Sequence, residues 1–393
     1  MKKHIILSAC LALIYSCNNQ EYMHEHMPIK DTIDMKNVAL TGNPTLLSDF
    51  VSQINYFPIP TERDFLIGEV SKLIVTDSLF LIMDNQNTHS AFVVSKTSDW
   101  TSCIHHHGNA PIEYLKLCDM FYNEETQELG VYCNLKSTIL YYHLNGEYVR
   151  NQKIPYQAEM IQHVCDDKYL LHTTYRENKD LKKDGMFPNL IFANIHDASD
   201  IQCCNYFKKE ARKDIVWCSN SWCSTWGDTV CFKPDHGNIV YHCTKDSIYP
   251  AHFLNFGSSN IDDRFWNKAL ENNITIEKLE EYCQQEKMYE IVWYLENENY
   301  IYFTYRKGNS LFHILYSKKT SRYFFFNKFT NDMDMYAEFR PKAILGSKLY
   351  GIISSHNIAK LRNILSGTHT PEVLLKVEEG DNPVIIELTI KDF

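Results

Sequence analysis

Glycine and proline are scarce in this chain, with 14 and 12 among 393 residues. Collagen-like repeats, low-complexity linkers and wholesale disorder need far more of both, so those classes are excluded. After the first sixteen residues there is no long apolar run, which leaves no helical membrane span to assign. Basic residues are not clustered and the formal net charge is −10, which argues against nucleic acid and against charge-driven adhesion to anionic lipid. No Cys-x-x-Cys pair, His-Glu-x-x-His helix, Gly-x-Ser-x-Gly elbow, phosphate loop or dinucleotide fingerprint occurs. Zinc, hydrolase and nucleotide chemistries that depend on those spacings therefore lack support, and the sequence implies no cofactor and no metal.

What is present begins at the N-terminus. Lys2 and Lys3 precede an apolar run from Ile5 to Tyr15, too short to span a bilayer, and small Ser16 stands before Cys17. That is the pattern of a lipoprotein signal peptide, with Tyr15 a departure from the usual smaller residue. Residues 1–16 are expected to be removed and Cys17 to carry lipid, placing the protein at the outer membrane with its leaflet open. Residues 17–48 are polar and aperiodic and read as a flexible tether. Of 13 cysteines, those other than Cys10 and Cys17 are odd in number and mostly lie in apolar, strand-like text, so most are expected to be free.

From Phe50 onward the text becomes short runs of β-branched and aromatic residues broken by Asn, Asp, Gly and Ser, as in S-L-F-L-I-M-D, S-T-I-L-Y-Y-H-L and Y-I-Y-F-T-Y. Such runs predict many antiparallel strands and an all-β domain over residues 49–393. Units start near Glu69, Glu113, Glu159, Asp214, Met288 and Glu338, and the first two steps are about 45 residues, the size of one four-stranded propeller blade. Six units predict a six-bladed β-propeller, closed by pairing a strand at Ile54–Pro58 into the last blade. Helix formers and a Leu/Ile/Tyr stripe over about 261–287 predict a helical insertion between blades four and five.

Four segments carry a family resemblance: I-G-E-V-S-K-L-I-V-T-D-S-L-F-L-I-M-D at 67–84, G-N-A-P-I-E-Y at 108–114, D-H-G-N-I-V-Y at 235–241 and E-G-D-N-P-V-I-I-E at 379–387. Together they resemble the six-bladed β-propeller lipoproteins of Gram-negative gut bacteria, related in plan to the NHL-repeat propellers. The resemblance implies a fold and a membrane address, not a reaction. Gly108 and Pro111 read as a bend between blades, and Asn382-Pro383 as the start of the closing strand.

Site candidates are fewer. Residues His105, His106 and His107 form the densest histidine cluster, but consecutive residues on a strand face opposite ways, so a surface loop before Gly108 accounts for them. Arg176, Arg306 and Arg340 follow or adjoin strand ends in three blades and are candidates for binding a carboxylate or sulfate at the channel mouth. Trp222 and Trp226 could flank them as platforms for a sugar ring or an apolar partner. The leading expectation is a non-enzymatic module binding a glycan, peptide or protein. The alternative is a carbohydrate- or lactone-active enzyme with a site at the channel mouth.

Overall fold

A computed structural model describes residues 28–36, 45–63, 65–208, 223–234, 237–261, 289–307, 310–334, 336, 340–364 and 370–393, with 265, 271–272, 278 and 281–282 inside the insertion. The chain is a six-bladed β-propeller. Three strands precede the first complete blade: β1 (Asp31–Asp34), β2 (Thr45–Leu46) and β3 (Val51–Pro58). Blade one is β4 (Lys72–Val75), β5 (Leu79–Asp84), β6 (Ser90–Ser95) and β7 (Thr101–Ile104), and blade two is β8 (Asp119–Asn123), β9 (Glu128–Cys133), β10 (Thr138–His143) and β11 (Tyr148–Lys153). Blade three is β12 (Met160–Cys165), β13 (Lys168–His172), β14 (Phe187–Asn194) and β15 (Ile201–Phe207), and blade four is β16 (Cys223–Trp226), β17 (Thr229–Phe232), β18 (Ile239–Cys243) and β19 (Ile248–Asn255). Blade five is β20 (Glu290–Glu296), β21 (Tyr300–Lys307), β22 (Ser310–Ser317) and β23 (Tyr323–Phe326). After β24 (Phe329–Thr330), blade six is β25 (Ala343–Leu345), β26 (Lys348–Ile353) and β27 (Val384–Ile390), completed on its outer side by β3.

That last pairing closes the ring. The strand β3 runs antiparallel to β27, with Pro58 opposite Val384 and Val51 opposite Ile390, so a strand that precedes blade one and the last strand of the chain share one sheet. Six apolar clusters of buried side chains fill the six interfaces between neighbouring blades, for example Leu81, Val93, Leu129 and Leu140 between blades one and two. Large aromatics suit wedge-shaped gaps, and Tyr132, Tyr141, Tyr294, Tyr302 and Tyr350 are each almost fully buried there.

The first strand of every blade is innermost, and all six run the same way, so the disc has an entry face where they begin and an exit face where they end. Buried polar links join blades at the entry face. Lys72 Nζ reaches Asp119 Oδ1 and the Met120 carbonyl, each at 2.7 Å, while Asp119 Oδ2 accepts the Ile161 amide at 2.9 Å. Lys233 Nζ donates to the Ile291 carbonyl and Lys342 Nζ to that of Val70.

The expected tether reaches further into the fold than its composition suggests. The strand β1 lies parallel to β19 as a fifth strand of blade four, β2 pairs with β24, and a short helix α1 (Leu47–Phe50) buries Leu47 and Phe50 completely. The docked stretch around β1 carries little apolar text beyond Ile33 and Met35, both buried, too little for a periodic signal. The signal peptide and Cys17 lie outside the described residues. In the insertion Phe265, Glu271, Lys278, Glu281 and Tyr282 are helical, and the Phe265 and Tyr282 rings pack 5.4 Å apart. A further helix, α2 (Ser355–Ile364), interrupts blade six and lays Ile358 and Leu361, three residues apart, against the core between blades five and six. Cys103, Cys118, Cys133, Cys165, Cys223, Cys231 and Cys243 are free thiols, as their apolar surroundings suggested; Cys218 lies outside the described residues.

Candidate functional site

A pocket opens on the exit face between blades two and three, with a volume of about 340 Å³, within the usual range for small-ligand sites. Its walls come from strand ends and the turns beyond them. Asn123 ends β8, and its Oδ1 accepts the amides of Glu125 and Thr126 at 3.0 and 3.2 Å, folding that turn toward the opening. On blade three, Asn194 does the same for His196 and Asp197 at 2.8 and 3.2 Å, while Asp166 turns the chain with a left-handed φ of 45°. His163 closes that turn from the side, its Nε2 2.8 Å from the Asp166 carbonyl.

The floor is aromatic. The Tyr141 and Tyr169 hydroxyls meet at 2.5 Å, and burial above all pushes both phenols up, so the pair stays neutral and shares one hydrogen bond. The His163 ring stacks on Phe121 at 5.9 Å and meets Tyr169 edge-on at 5.3 Å. Arg150 lies flat over Tyr141, its guanidinium carbon 3.8 Å from the ring centre, and donates to Glu128 at 2.5 Å. A guanidinium so held is pre-oriented with donors to spare. Around the rim stand Glu125, Gln152, Asp166, Asp167 and His196, a mixture of donors and acceptors over an aromatic base. No serine, cysteine or lysine is among the described lining residues.

The three arginines of the sequence reading lie at the other end of the blades. Arg176 follows β13, Arg306 is near the end of β21, and Arg340 precedes β25, all on the entry face. Arg176 is half exposed and forms an ion pair with buried Glu159, whose two oxygens also accept from Asn134 Nδ2 at 2.7 Å. Arg306 sits across the ladder from Glu290. Arg340 is exposed and lies close enough to Tyr302 and His313 for its charge to act on both. Trp226 requires a correction. It ends the innermost strand β16 and so belongs to the exit face, half-buried between blades four and five with its ring edge-on to His242 at 5.3 Å. The innermost strand carries it away from the arginines, so it cannot flank them; Trp222 lies outside the described residues. The histidine run is a loop whose rings diverge: His105 meets Ser90, His106 the Gly146 carbonyl, and His107 the Leu115 carbonyl.

Residues 30–389 match the family described as Domain of unknown function (DUF4934). The chain belongs to that family. The matched span begins just before β1 and ends within β27, so the docked N-terminal strand is part of the DUF4934 domain. Among solved structures, a protein of Bacteroides fragilis described as a candidate exported protein superposes with a TM-score of 0.72 at 17% identity, covering 92% of this chain and 100% of that one. A member of the duf4221 family from Bacteroides vulgatus aligns with a TM-score of 0.48 at 10% identity, covering 87% and 97%. No curated protein sequence matches the chain.

The pocket of this DUF4934 protein escaped the sequence reading because its residues come from eight separate strands and turns of two blades. The one local signal was the pair of acidic turns, N-E-E-T at 123–126 and D-D-K at 166–168, at equivalent places in consecutive repeats.

Proposed function

We propose that this protein is an exported, lipid-anchored binding module, and that its propeller holds the end of a glycan chain in the pocket between blades two and three. The observation that carries this reading is the pocket's chemistry: a buried tyrosine pair and an oriented arginine beneath a rim of side chains that both donate and accept. A polyhydroxylated ring offers donors and acceptors in the same alternation. Export is supported by the Lys2 to Cys17 pattern and by the likeness in fold to a candidate exported protein. Binding is favoured over turnover because the rim carboxylates Glu125, Asp166 and Asp167 stand exposed on turns, where water competes for them.

The test is a glycan array probed with the full chain and with Gln152→Ala and Asp167→Ala. Binding confined to a subset of terminal sugars, weakened by both substitutions, supports the reading. An array without signal, or with a signal indifferent to both substitutions, counts against it.

A further inference from the structure

Across the disc from the arginines, between blades four and five, a second group of side chains converges on one carboxylate. Glu296, at the end of β20, is fully buried. Its Oε2 receives Tyr294 Oη at 2.7 Å, His242 Nε2 at 3.1 Å and Cys231 Sγ at 3.2 Å. Its Oε1 receives His252 Nε2 at 2.9 Å and Lys318 Nζ at 2.5 Å. Five donors on a group with roughly four lone-pair sites are more than hydrogen bonding accounts for, and a thiol is a poor donor to spend on a buried anion.

The geometry points to a metal site of the zinc class, with Cys231, His242 and Glu296 as ligands and His252 completing the set. The candidate ligand atoms of the first three lie within 4.8 Å of one another. Zinc bonds of about 2.0–2.3 Å give tetrahedral edges of roughly 3.3–3.7 Å, close to the 3.1 and 3.2 Å that separate His242 Nε2 and Cys231 Sγ from Glu296 Oε2, while His252, now on the other carboxylate oxygen, must move closer to complete the set. A sulfur, imidazole nitrogens and a carboxylate oxygen match a borderline-soft divalent cation and suit magnesium or calcium badly. A second observation comes from the other side of His252. Its Nδ1 is buried without a hydrogen-bond partner, and the nearest carboxylate oxygen, Oδ2 of Asp31, is 3.9 Å away on the strand β1 that pairs Asp31 with His252. A carboxylate behind the second nitrogen is the usual orienting group of a metal-bound histidine.

Four protein ligands leave no open position, so the role is structural: the cation ties three strands of blade four to the innermost strand of blade five, with β1 as outer support. Lys318, which also donates to the Asn297 carbonyl at 2.6 Å, has an alternative partner when the cation takes the carboxylate.

The full chain, stripped with a chelator and titrated with Co²⁺, tests this independently of any glycan. The result expected is one tight equivalent with a thiolate-to-cobalt charge-transfer band, displaced by Zn²⁺ and absent in Cys231→Ser. Asp31→Asn should weaken the affinity roughly tenfold. Lys318→Met should tighten it roughly tenfold, because an ammonium beside a dication is repelled. No thiolate band in the wild type, or a band that survives Cys231→Ser, overturns the proposal. Should Cys231→Ser fail to fold, the other two variants decide, and unchanged affinity in both overturns it as well. His24 and His26 of the N-terminal segment cannot mimic this readout, since neither brings a thiolate.

Discussion

Asn382 holds Ile67. The Oδ1 of Asn382 accepts the Ile67 amide at 2.7 Å, while its Nδ2 donates to the carbonyls of Pro60 and Phe65 at 2.6 and 2.7 Å. The side chain is 2% exposed, and its bonds to the Ile67 amide and the Phe65 carbonyl are buried, so those two groups have no water as a substitute. The Asp-Asn-Pro motif thus latches the start of the closing strand onto the linker that leads from β3 into blade one. Asn382→Ala strands two carbonyls and an amide and should cost roughly 2–4 kcal/mol. Urea unfolding measures it; a loss below about 0.5 kcal/mol, the range of ordinary surface substitutions, would mean that the latch is decorative.

Closure itself has a harsher test. Removing residues from Asp381 onward deletes β27 and leaves β26 and β3 as bare edges. The truncated protein should lose its cooperative thermal transition or aggregate. One normal transition in calorimetry would place closure elsewhere.

The Lys72–Asp119 pair is buried on both sides, with side chains 8% and 3% exposed. Asp119→Ala leaves an ammonium without its counter-charge between blades one and two and frees the Ile161 amide. Such losses cost about 3–5 kcal/mol. Replacing both partners, as Lys72→Met with Asp119→Leu, should recover much of that in the same unfolding assay, and a double variant as unstable as the single one would speak against a charge penalty.

His313 supplies a pH dependence. Burial, helped by the Arg340 charge, pulls its imidazole down to about 4 from 6.5. Tyr302 Oη lies 2.9 Å from Nδ1, and the neutral ring accepts that hydroxyl. Because the folded value lies below the unfolded one, the unfolded chain takes up the proton first. The stabilisation is complete above pH 6.5 and is lost as pH falls toward 4, by on the order of 3 kcal/mol. His313→Asn should flatten the wild-type slope across that window; identical slopes would contradict the assignment.

Cys17→Ser tests the anchor. Bilayer affinity here would come from acyl chains and not from an acidic protein, so the variant should leave the membrane fraction. Unchanged retention and unchanged mass would remove the lipoprotein reading.

Much of this fold was legible because it repeats. Strand text returning at blade spacing located units near Glu69, Glu113, Glu159, Met288 and Glu338, and the observed inner strands begin at Lys72, Asp119, Met160, Glu290 and Ala343; the sixth start, Asp214, lies outside the described residues, and β16 begins at Cys223. The docking of β1 was not legible, since Ile33 and Met35 on either side of exposed Asp34 make only one step of alternation in otherwise polar text. Nor was α2, whose inward face carries only Ile358 and Leu361 among its described residues. Equivalent positions placed Arg176, Arg306 and Arg340 on one face, but partners decide what a charge can do, and Glu159 is seventeen residues from the arginine it holds. The pocket and the Glu296 cluster are products of neighbouring blades. Tyr141 and Tyr169, or Cys231 and Glu296, meet only once consecutive blades pack, and no local pattern announces them.

The central claim is that ligand is held at the exit face between blades two and three. Isothermal titration of one array-selected glycan into wild type, Arg150→Met and Arg340→Ala tests it most directly. The account predicts at least tenfold weaker binding for Arg150→Met, as the loss of a charged hydrogen bond of roughly 1.5–3 kcal/mol requires, and an unchanged constant for Arg340→Ala. Weakened binding in Arg340→Ala with none in Arg150→Met would contradict it and move the site to the opposite face.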